Sequence, residues 1–292
     1  MLNTQNANER SVIGRNSNWL PHAVLWIGVL ITAFPLYVTF VASTLLPQDI
    51  AQVPMQMFPG SHMIDNYSEA WSKGATGTYL SPPGKTLLFN SLVVALIVTF
   101  GKISVSLISA YAVVFFKFPG RMFFFWMIFI TLMLPVEVRI LPTYQVATDL
   151  GLVNSYAGLT LPLIASATAT LLFRQFFLTI PDELVEAAKI DGAGPMRFFK
   201  DVLLPLSRTN IAALFVILFI LGWNQYLWPL LITTSNSLDV VVVAIKKMIG
   251  TGAEPTDWHI VMSTTILALI PPVLVIIAMQ KSFVKGLTDT EK

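Results

Sequence analysis

Apolar residues form long runs in this chain, and the polar residues are gathered between those runs. A helix needs about 20 mostly apolar residues to cross the roughly 30 Å hydrocarbon core of a bilayer. Segments of this length are too long for the strands of a membrane barrel, so we expect helices, which satisfy their backbone groups internally. Six segments qualify: residues 19–46, 87–116, 122–141, 156–177, 210–233 and 258–280. The pattern therefore predicts an all-α, polytopic membrane protein.

Composition supports the membrane placement and narrows the chemistry. Of 292 residues, 55% are hydrophobic and 12% are charged, whereas soluble domains carry roughly 25% charged residues. Mean hydropathy is +0.71. The lack of cysteine excludes disulfides and thiolate metal sites, and His22, His62 and His259 are isolated in the sequence. We expect no metal site and, since no paired carboxylates stand out, no catalytic residues.

The distribution of basic residues predicts the orientation, because short cytoplasmic loops retain lysine and arginine. With the N-terminus inside, the inner side holds Arg10, Arg15, Lys117, Arg121, Arg174, Lys189, Arg197, Lys200, Arg208, Lys281, Lys285 and Lys292. The outer side holds only Lys73, Lys85, Arg139, Lys246 and Lys247. Residues 1–18 and 281–292 are thus predicted to be cytoplasmic tails around a membrane domain of residues 19–280.

Residues 181–208, between the fourth and fifth spans, gather an unusual share of the charge. Pro181 suits the start of a helix, and the acidic residues that follow it suit the positive end of the helix dipole. Gly192 can end this helix in a left-handed conformation, and Pro195 can begin a second one. One interpretation is a loop on lipid headgroups. The acidic leading end favours the other, a short helix that lies in a groove of a protein partner.

Three motifs in this stretch carry a family resemblance. They are Glu186-Ala187-Ala188, Asp191-Gly192-Ala193 and residues 202–206, Val-Leu-Leu-Pro-Leu. In order and spacing they resemble the EAA loop of permease subunits in bacterial ABC importers, here residues 179–208. The segments LMLPVEVRILPTYQV and GWNQYLWPLLIT resemble the carbohydrate-type permeases related to the maltose permease. The resemblance implies the type I permease fold, with six transmembrane helices and a cytoplasmic coupling helix.

The resemblance also implies a role for the EAA loop, which docks into an ATP-hydrolysing subunit in that family. The residues that would couple this chain to the ATPase are Glu183, Glu186, Ala187, Ala188, Asp191, Gly192, Ala193, Leu204 and Pro205. The implied partners are a second permease, two ATP-binding subunits and a periplasmic substrate-binding protein, in the bacterial inner membrane. ATP would be bound by the partner, so this chain would be neither an enzyme nor the holder of a cofactor, and it would bind no nucleic acid.

Within the family, the chain looks most like permeases of sn-glycerol-3-phosphate importers. This resemblance implies that the cargo is sn-glycerol-3-phosphate and, as an extension, glycerophosphodiesters. A neutral sugar or oligosaccharide is an alternative cargo. A secondary transporter is a further alternative, which the lack of an internal repeat and of mid-span charges other than Lys102 disfavours.

Substrate sites in transporters tend to lie near the bilayer midplane, where helices are interrupted. The fifth span offers Trp223, Asn224 and Gln225 for such a pathway, although these side chains could equally belong to an interfacial belt or to helix packing. Lys102 in the second span and Arg139 at the outer end of the third could meet a phosphate. Alternatively, Lys102 could snorkel to the interface or pair within the complex, and Arg139 could pair with Glu137 or with a docked partner.

Overall fold

The structure is a computed structural model that describes residues 19–76, 80–131, 134, 136–249 and 256–288, with the backbone alone at 136, 137 and 281–288. Its α-helices are α1 (Trp19–Ser43), α2 (Pro47–Ile50), α3 (Met63–Ser72), α4 (Gly84–Phe115), α5 (Arg121–Ile130), α6 (Val136–Asp149), α7 (Tyr156–Thr160), α8 (Ala167–Phe177), α9 (Asp182–Ile190), α10 (Pro195–Phe198), α11 (Leu204–Leu206), α12 (Arg208–Trp223), α13 (Leu227–Ile232), α14 (Val241–Met248) and α15 (Trp258–Thr288). Short 3₁₀ turns lie at Leu161–Leu163 and Asn236–Leu238, and a π-helical turn lies at Phe199–Leu203. No strand occurs in the described ranges, so the prediction of an all-α fold is confirmed there.

Three helices, α1, α4 and α15, are each long and apolar enough to cross a membrane unbroken. They match the first, second and sixth predicted spans. The last of them continues as helix beyond residue 280, where the sequence had suggested the start of a tail.

The other three predicted spans are interrupted, so the prediction of unbroken helices was wrong there, although the outer ends of the fourth and fifth spans lie within two residues of the predicted ones. The third span divides into α5 and α6, and α6 begins directly after Pro135 in the sequence. The fourth divides into α7 with its 3₁₀ turn and α8, bent by 46° where Ser166 caps α8. The fifth divides into α12 and α13 around residues 224–226. A hydropathy average over about 20 residues does not detect such breaks, because the residues on both sides of them are apolar.

The centre of the bundle is the packing of α4 against α12 and of α12 against α15. Gly222 of α12 lies against Ala95 of α4, and a Cβ added at Gly222 would lie 3.2 Å from the Ala95 Cα. Small residues at this crossing let the two backbones approach closely, as is common between membrane helices. Phe219 and Trp223, both buried, continue the contact toward α15 as stacked rings. This core positions α12, which connects the EAA loop at one end with residues 223–225 at the other.

Helix α1 lies at the edge of the bundle, packed mainly on α15. Its residues from Trp19 to Tyr37 are exposed, apart from partly buried Ala23 near its start. The Ser43 carbonyl accepts a hydrogen bond from the Ser263 hydroxyl at 3.2 Å, so the two helices run antiparallel. Trp19 and Gln280 therefore lie at the same end of the bundle as the EAA loop.

The opposite end of the bundle is held together by buried polar groups. The Asn90 amide donates to the carbonyl oxygens of Ser237 and Asp239, at 2.9 and 3.0 Å, and its oxygen accepts from the Tyr156 hydroxyl at 2.6 Å. The carboxylate of Asp239, whose side chain has no exposed surface, accepts two hydrogen bonds of 2.9 Å from the Lys247 ammonium. These contacts attach α4, α7 and α14 to one another.

Candidate functional site

The first half of the EAA loop is the short helix α9, which follows Pro181 and ends in a Schellman motif. The Ala193 N–H donates to the Ala188 carbonyl at 2.9 Å, and the Gly192 N–H donates to the Lys189 carbonyl at 3.0 Å. Gly192 has a φ of +72°, and nothing lies within 4 Å of a Cβ added there. Glycine is therefore required for its backbone conformation alone. The predicted helix, bend and second helix are confirmed at these residues.

Helix α9 has an inward and an outward face. Val185 and Ala188 pack into the chain's own core beside α8 and α12, with Ala193 at its edge. Glu186 and Ala187 are exposed. The two alanines of the motif thus have different environments: Ala188 contacts this chain, and Ala187 is free to contact a partner.

The outward surface of the EAA loop combines acidic groups with exposed apolar side chains. Ile190 is 85% exposed and Met196 is 74% exposed, and Leu184 is exposed beside them. The acidic groups are Glu183, Glu186 and Asp191. Large apolar side chains with acids around them are typical of a surface that a protein partner covers.

A cluster of aromatic rings attaches the loop to the transmembrane helices. Tyr111 and Phe115, one turn apart on α4, contact the rings of Phe199 and Phe198 at centroid distances of 5.1 and 5.4 Å. The Tyr111 hydroxyl also donates to the Pro195 carbonyl at 2.8 Å. We therefore expect a displacement of the EAA loop to move the C-terminal end of α4 with it, because rings packed this closely do not slide freely.

Replacing Tyr111 with phenylalanine is expected to loosen this attachment by about 1 kcal/mol, because one hydrogen bond is lost while the ring packing stays. Amide hydrogen exchange in residues 179–208 should become faster. Tyr67→Phe is the matched control, since the Tyr67 hydroxyl bonds Ser43 at the other end of the bundle, at 2.9 Å. Unchanged exchange in Tyr111→Phe would contradict a holding role for this bond.

The second half of the EAA loop runs from Pro195 to Leu206 and meets α12 at an angle of 71°. Buried Ser207 marks the bend, and its hydroxyl donates to the Leu203 carbonyl at 2.6 Å. Leu204 and Pro205, which the family resemblance assigned to ATPase coupling, line a cavity between α12 and α15. They do not share the outward face of α9.

The predicted substrate residues of the fifth span lie at the break between α12 and α13. Trp223 is 2% exposed and stacked on Phe219, so it belongs to the core and not to an open pathway. Asn224 is exposed, and its side chain has no hydrogen-bond partner within the described part of the chain. Gln225 donates to the Leu221 carbonyl at 3.2 Å. Asn224 continues an exposed stripe of α12 that also contains Ile217 and Leu221.

Lys102 and Arg139 come from different helices, α4 and α6, and their positive charges are close enough to act on each other. Lys102 is half-buried and Arg139 is exposed. Among the described side chains neither has an ion-pair partner, and Glu137, the alternative partner of Arg139, has no described side chain. Two interacting cations with no carboxylate partner among the described side chains are an arrangement that favours an anion.

Residues 102–289 match the family of binding-protein-dependent transport system inner membrane components. The chain belongs to this family. It is therefore an inner-membrane permease component of a transport system, and the family consists of membrane components and not of enzymes.

Several curated relatives of this permease component are named sn-glycerol-3-phosphate transport system permease protein UgpE. The protein from Agrobacterium fabrum is 60% identical over 94% of this chain and 96% of its own. Those from Brucella melitensis and Yersinia enterocolitica are 58% and 59% identical, over 94% and 93% of this chain and 98% and 96% of their own.

Solved structures share the fold of this permease component. A bacterial ABC transporter involved in the import of the acidic polysaccharide alginate has a chain with a TM-score of 0.77 at 20% identity, covering 91% of this chain and 96% of its own. A second alginate ABC transporter structure, in complex with an alginate pentasaccharide-bound periplasmic protein, gives a TM-score of 0.59 at 13% identity. The predicted ABC permease fold is thereby confirmed.

Sequence reasoning on this permease component missed the groups that join its parts. The ring cluster of Tyr111, Phe115, Phe198 and Phe199 left only a weak signal, an aromatic pair one turn apart on α4 and an adjacent pair in the loop. Trp228, which donates from its indole N–H to the Gly158 carbonyl at 3.0 Å, was visible only as one more aromatic in an apolar run.

Proposed function

We propose that this chain forms half of the translocation pore of an ABC importer for sn-glycerol-3-phosphate and, as an extension, for glycerophosphodiesters. The observation that carries the proposal is the set of relatives with that function in their name, 58% to 60% identical over nearly the whole chain. A second, different permease would complete the pore. Two ATP-binding subunits would lie at the EAA-loop end, and a periplasmic binding protein would deliver the substrate at the other.

The proposed orientation puts the EAA loop and both termini in the cytoplasm. It is supported by the excess of lysine and arginine at that end. It is also supported by the antiparallel packing of α1 on α15, which puts Trp19 and Gln280 at the same end of the bundle as the loop.

We propose that the outward face of α9 docks into the ATPase through Glu183, Glu186, Ala187, Asp191 and the Gly192 bend. ATP would be bound by the partner alone, so this chain would need no cofactor. Closure of the two ATPases would displace α9, and the aromatic contacts at Tyr111 and Phe115 would carry the displacement to α4. Such a rigid-body step would switch the pore between inward-facing and outward-facing states.

The cargo would interact with the permease through two kinds of group. Lys102 and Arg139 would bind the phosphate, because their positive charges act on each other and neither has a carboxylate partner in the described side chains. Asn224 would accept or donate a hydrogen bond to a glycerol hydroxyl from the exposed stripe of α12. This division fits a small, singly phosphorylated polyol better than a neutral sugar.

Replacing Lys102 with glutamine is expected to raise the half-saturating sn-glycerol-3-phosphate concentration about tenfold, since a charge-assisted hydrogen bond contributes about 1.5–3 kcal/mol. Arg139→Gln should act in the same direction but less strongly, because Arg139 is more exposed. The measurement is uptake by the complete importer in proteoliposomes, with binding protein in excess.

Lys85→Gln is the matched control, an exposed cation at the start of α4. If the wild-type complex carried maltose and not sn-glycerol-3-phosphate, the cargo proposal would fail. If Lys102→Gln and Arg139→Gln left the uptake kinetics unchanged, only the phosphate-binding role of these two residues would fail.

A further inference from the structure

A cavity of about 620 Å³ opens at the EAA-loop end of the bundle, between the second half of the loop, the first two turns of α12 and the last membrane turns of α15. Its walls are formed by Leu204, Ile211, Ala212, Phe215 and Met279. Residues 208, 211, 212 and 215 lie on one face of α12, since they follow the three- and four-residue spacing of a helix. This face is opposite the stripe of α12 that continues to Asn224.

Two cations, Lys200 and Arg208, line the same cavity. Both are exposed, and neither has an ion-pair partner in the described part of the chain. The nearest carboxylate in sequence, that of Asp201, lies 3.5 Å from Arg197 and does not line the cavity. The cavity is thus basic at its mouth and apolar along its walls.

The basic and apolar groups of the cavity follow one another along α12 in the order in which headgroups and acyl chains follow one another in a membrane. Arg208 is the first residue of α12, and Phe215 lies about 10 Å further along the helix, at 1.5 Å per residue. A molecule that fills the cavity must therefore have an anionic end at the surface of the bundle and an apolar part directed toward the bilayer. Basic pockets between helices on the cytoplasmic side suit the phosphate headgroups of anionic lipids.

We propose that this cavity is a binding site for an anionic phospholipid, whose phosphate lies between Lys200 and Arg208 and whose acyl chain lies along Ile211, Ala212 and Phe215. The site is separate from the substrate pathway and from the outward face of α9. The proposal rests on the cytoplasmic orientation proposed above. Because Leu204 and Pro205 of the EAA loop form part of the wall, the bound lipid contacts the segment that joins the loop to α12.

The test uses the assembled importer, reconstituted in phosphatidylcholine vesicles with and without phosphatidylglycerol. A phosphatidylglycerol probe with a photoreactive acyl chain should crosslink to residues 211–215 or to Met279, and a matching phosphatidylcholine probe should not. Neutralising one cation, in Lys200→Gln or Arg208→Gln, should weaken phosphatidylglycerol binding about fivefold, and neutralising both about thirtyfold. Arg208→Lys should restore most of the binding.

Lys117→Gln is the matched control, because Lys117 is an exposed cation predicted on the same side that does not line the cavity. It should leave crosslinking unchanged. Ala212→Trp should reduce crosslinking with both cations present, since the larger side chain fills the apolar wall.

Three outcomes would overturn the proposal. Equal crosslinking by both lipids would mean an ordinary lipid-facing surface, and no crosslinking in a transporting complex would mean that the partner permease covers the cavity. Displacement of the probe by inorganic phosphate would mean a site for a free anion. Uptake by the wild-type complex in the same vesicles tests the proposed function separately. Maleimide labelling of Lys200→Cys from one side, in a chain without native cysteine, tests the orientation.

Discussion

Replacing Glu186 with glutamine should reduce uptake by the assembled importer at least about tenfold, while the chain still inserts and pairs with its partner permease. The Glu186 carboxylate is exposed on α9 and has no ion-pair partner in the described structure. Its loss should therefore leave the fold of the chain intact. In a docked complex the same carboxylate would be desolvated against the ATPase, where removing one member of a charged pair costs about 2–5 kcal/mol.

Uptake and ATPase co-purification together would separate uncoupling from loss of docking. Gly192→Val should act in the same direction through the backbone, since a left-handed conformation costs a non-glycine residue about 1–2 kcal/mol. Asp149→Asn is the matched control, an exposed acid at the end of α6 that accepts a hydrogen bond from Gln145 at 2.9 Å. Full uptake in both Glu186→Gln and Gly192→Val would refute the coupling role.

Replacing Lys247 with methionine is expected to destabilise the chain by about 3 kcal/mol or more. The side chain of Asp239 is fully buried and receives two 2.9 Å hydrogen bonds from the Lys247 ammonium, whereas the Lys247 side chain keeps 26% of its surface exposed. Without the Lys247 ammonium, the buried carboxylate loses a positive charge that compensates for its desolvation. Breaking a buried ion pair by removing one partner is among the more costly single changes in proteins. The measurement is the thermal unfolding midpoint of the purified complex.

The double variant Asp239→Asn with Lys247→Met should recover part of the loss, because no buried charge is left. Lys246→Met is the matched control, because Lys246 is the sequence neighbour of Lys247 and the salt bridge to Asp239 is formed by Lys247. An unfolding midpoint in Lys247→Met equal to that of Lys246→Met would show that the salt bridge does not stabilise this end of the bundle.

The local structure of the EAA loop could be predicted because proline and glycine determine the backbone conformation at their own positions. Pro181 precedes a helix, Gly192 ends it with a φ of +72°, and Pro195 begins the next one. Tertiary packing changes little in such a short segment. The two faces of α9 were harder to assign, since the sequence alone could not say whether Ala187 or Ala188 contacts the rest of the chain.

The membrane spans were predicted less well where helices break. Trp223 and Asn224 are adjacent in one polar and aromatic motif, yet the first is buried against Phe219 and the second is exposed at the end of α12. Which of the two faces the core depends on the close approach of Gly222 to Ala95 on another helix. No local pattern carries that information.

The sequence by itself determined that the chain is a helical membrane protein with a charged loop of helix, bend and helix, because hydropathy, proline and glycine act over a few neighbouring residues. Only the tertiary structure decided which polar groups meet. Tyr111 and Pro195 lie 84 positions apart in the printed sequence, but helix packing brings them into hydrogen-bond contact. The side chains of Asp239 and Lys247 likewise meet because the chain turns into α14 between them. Such contacts arise from the directions of whole helices, which are set by the buried surface of the complete bundle.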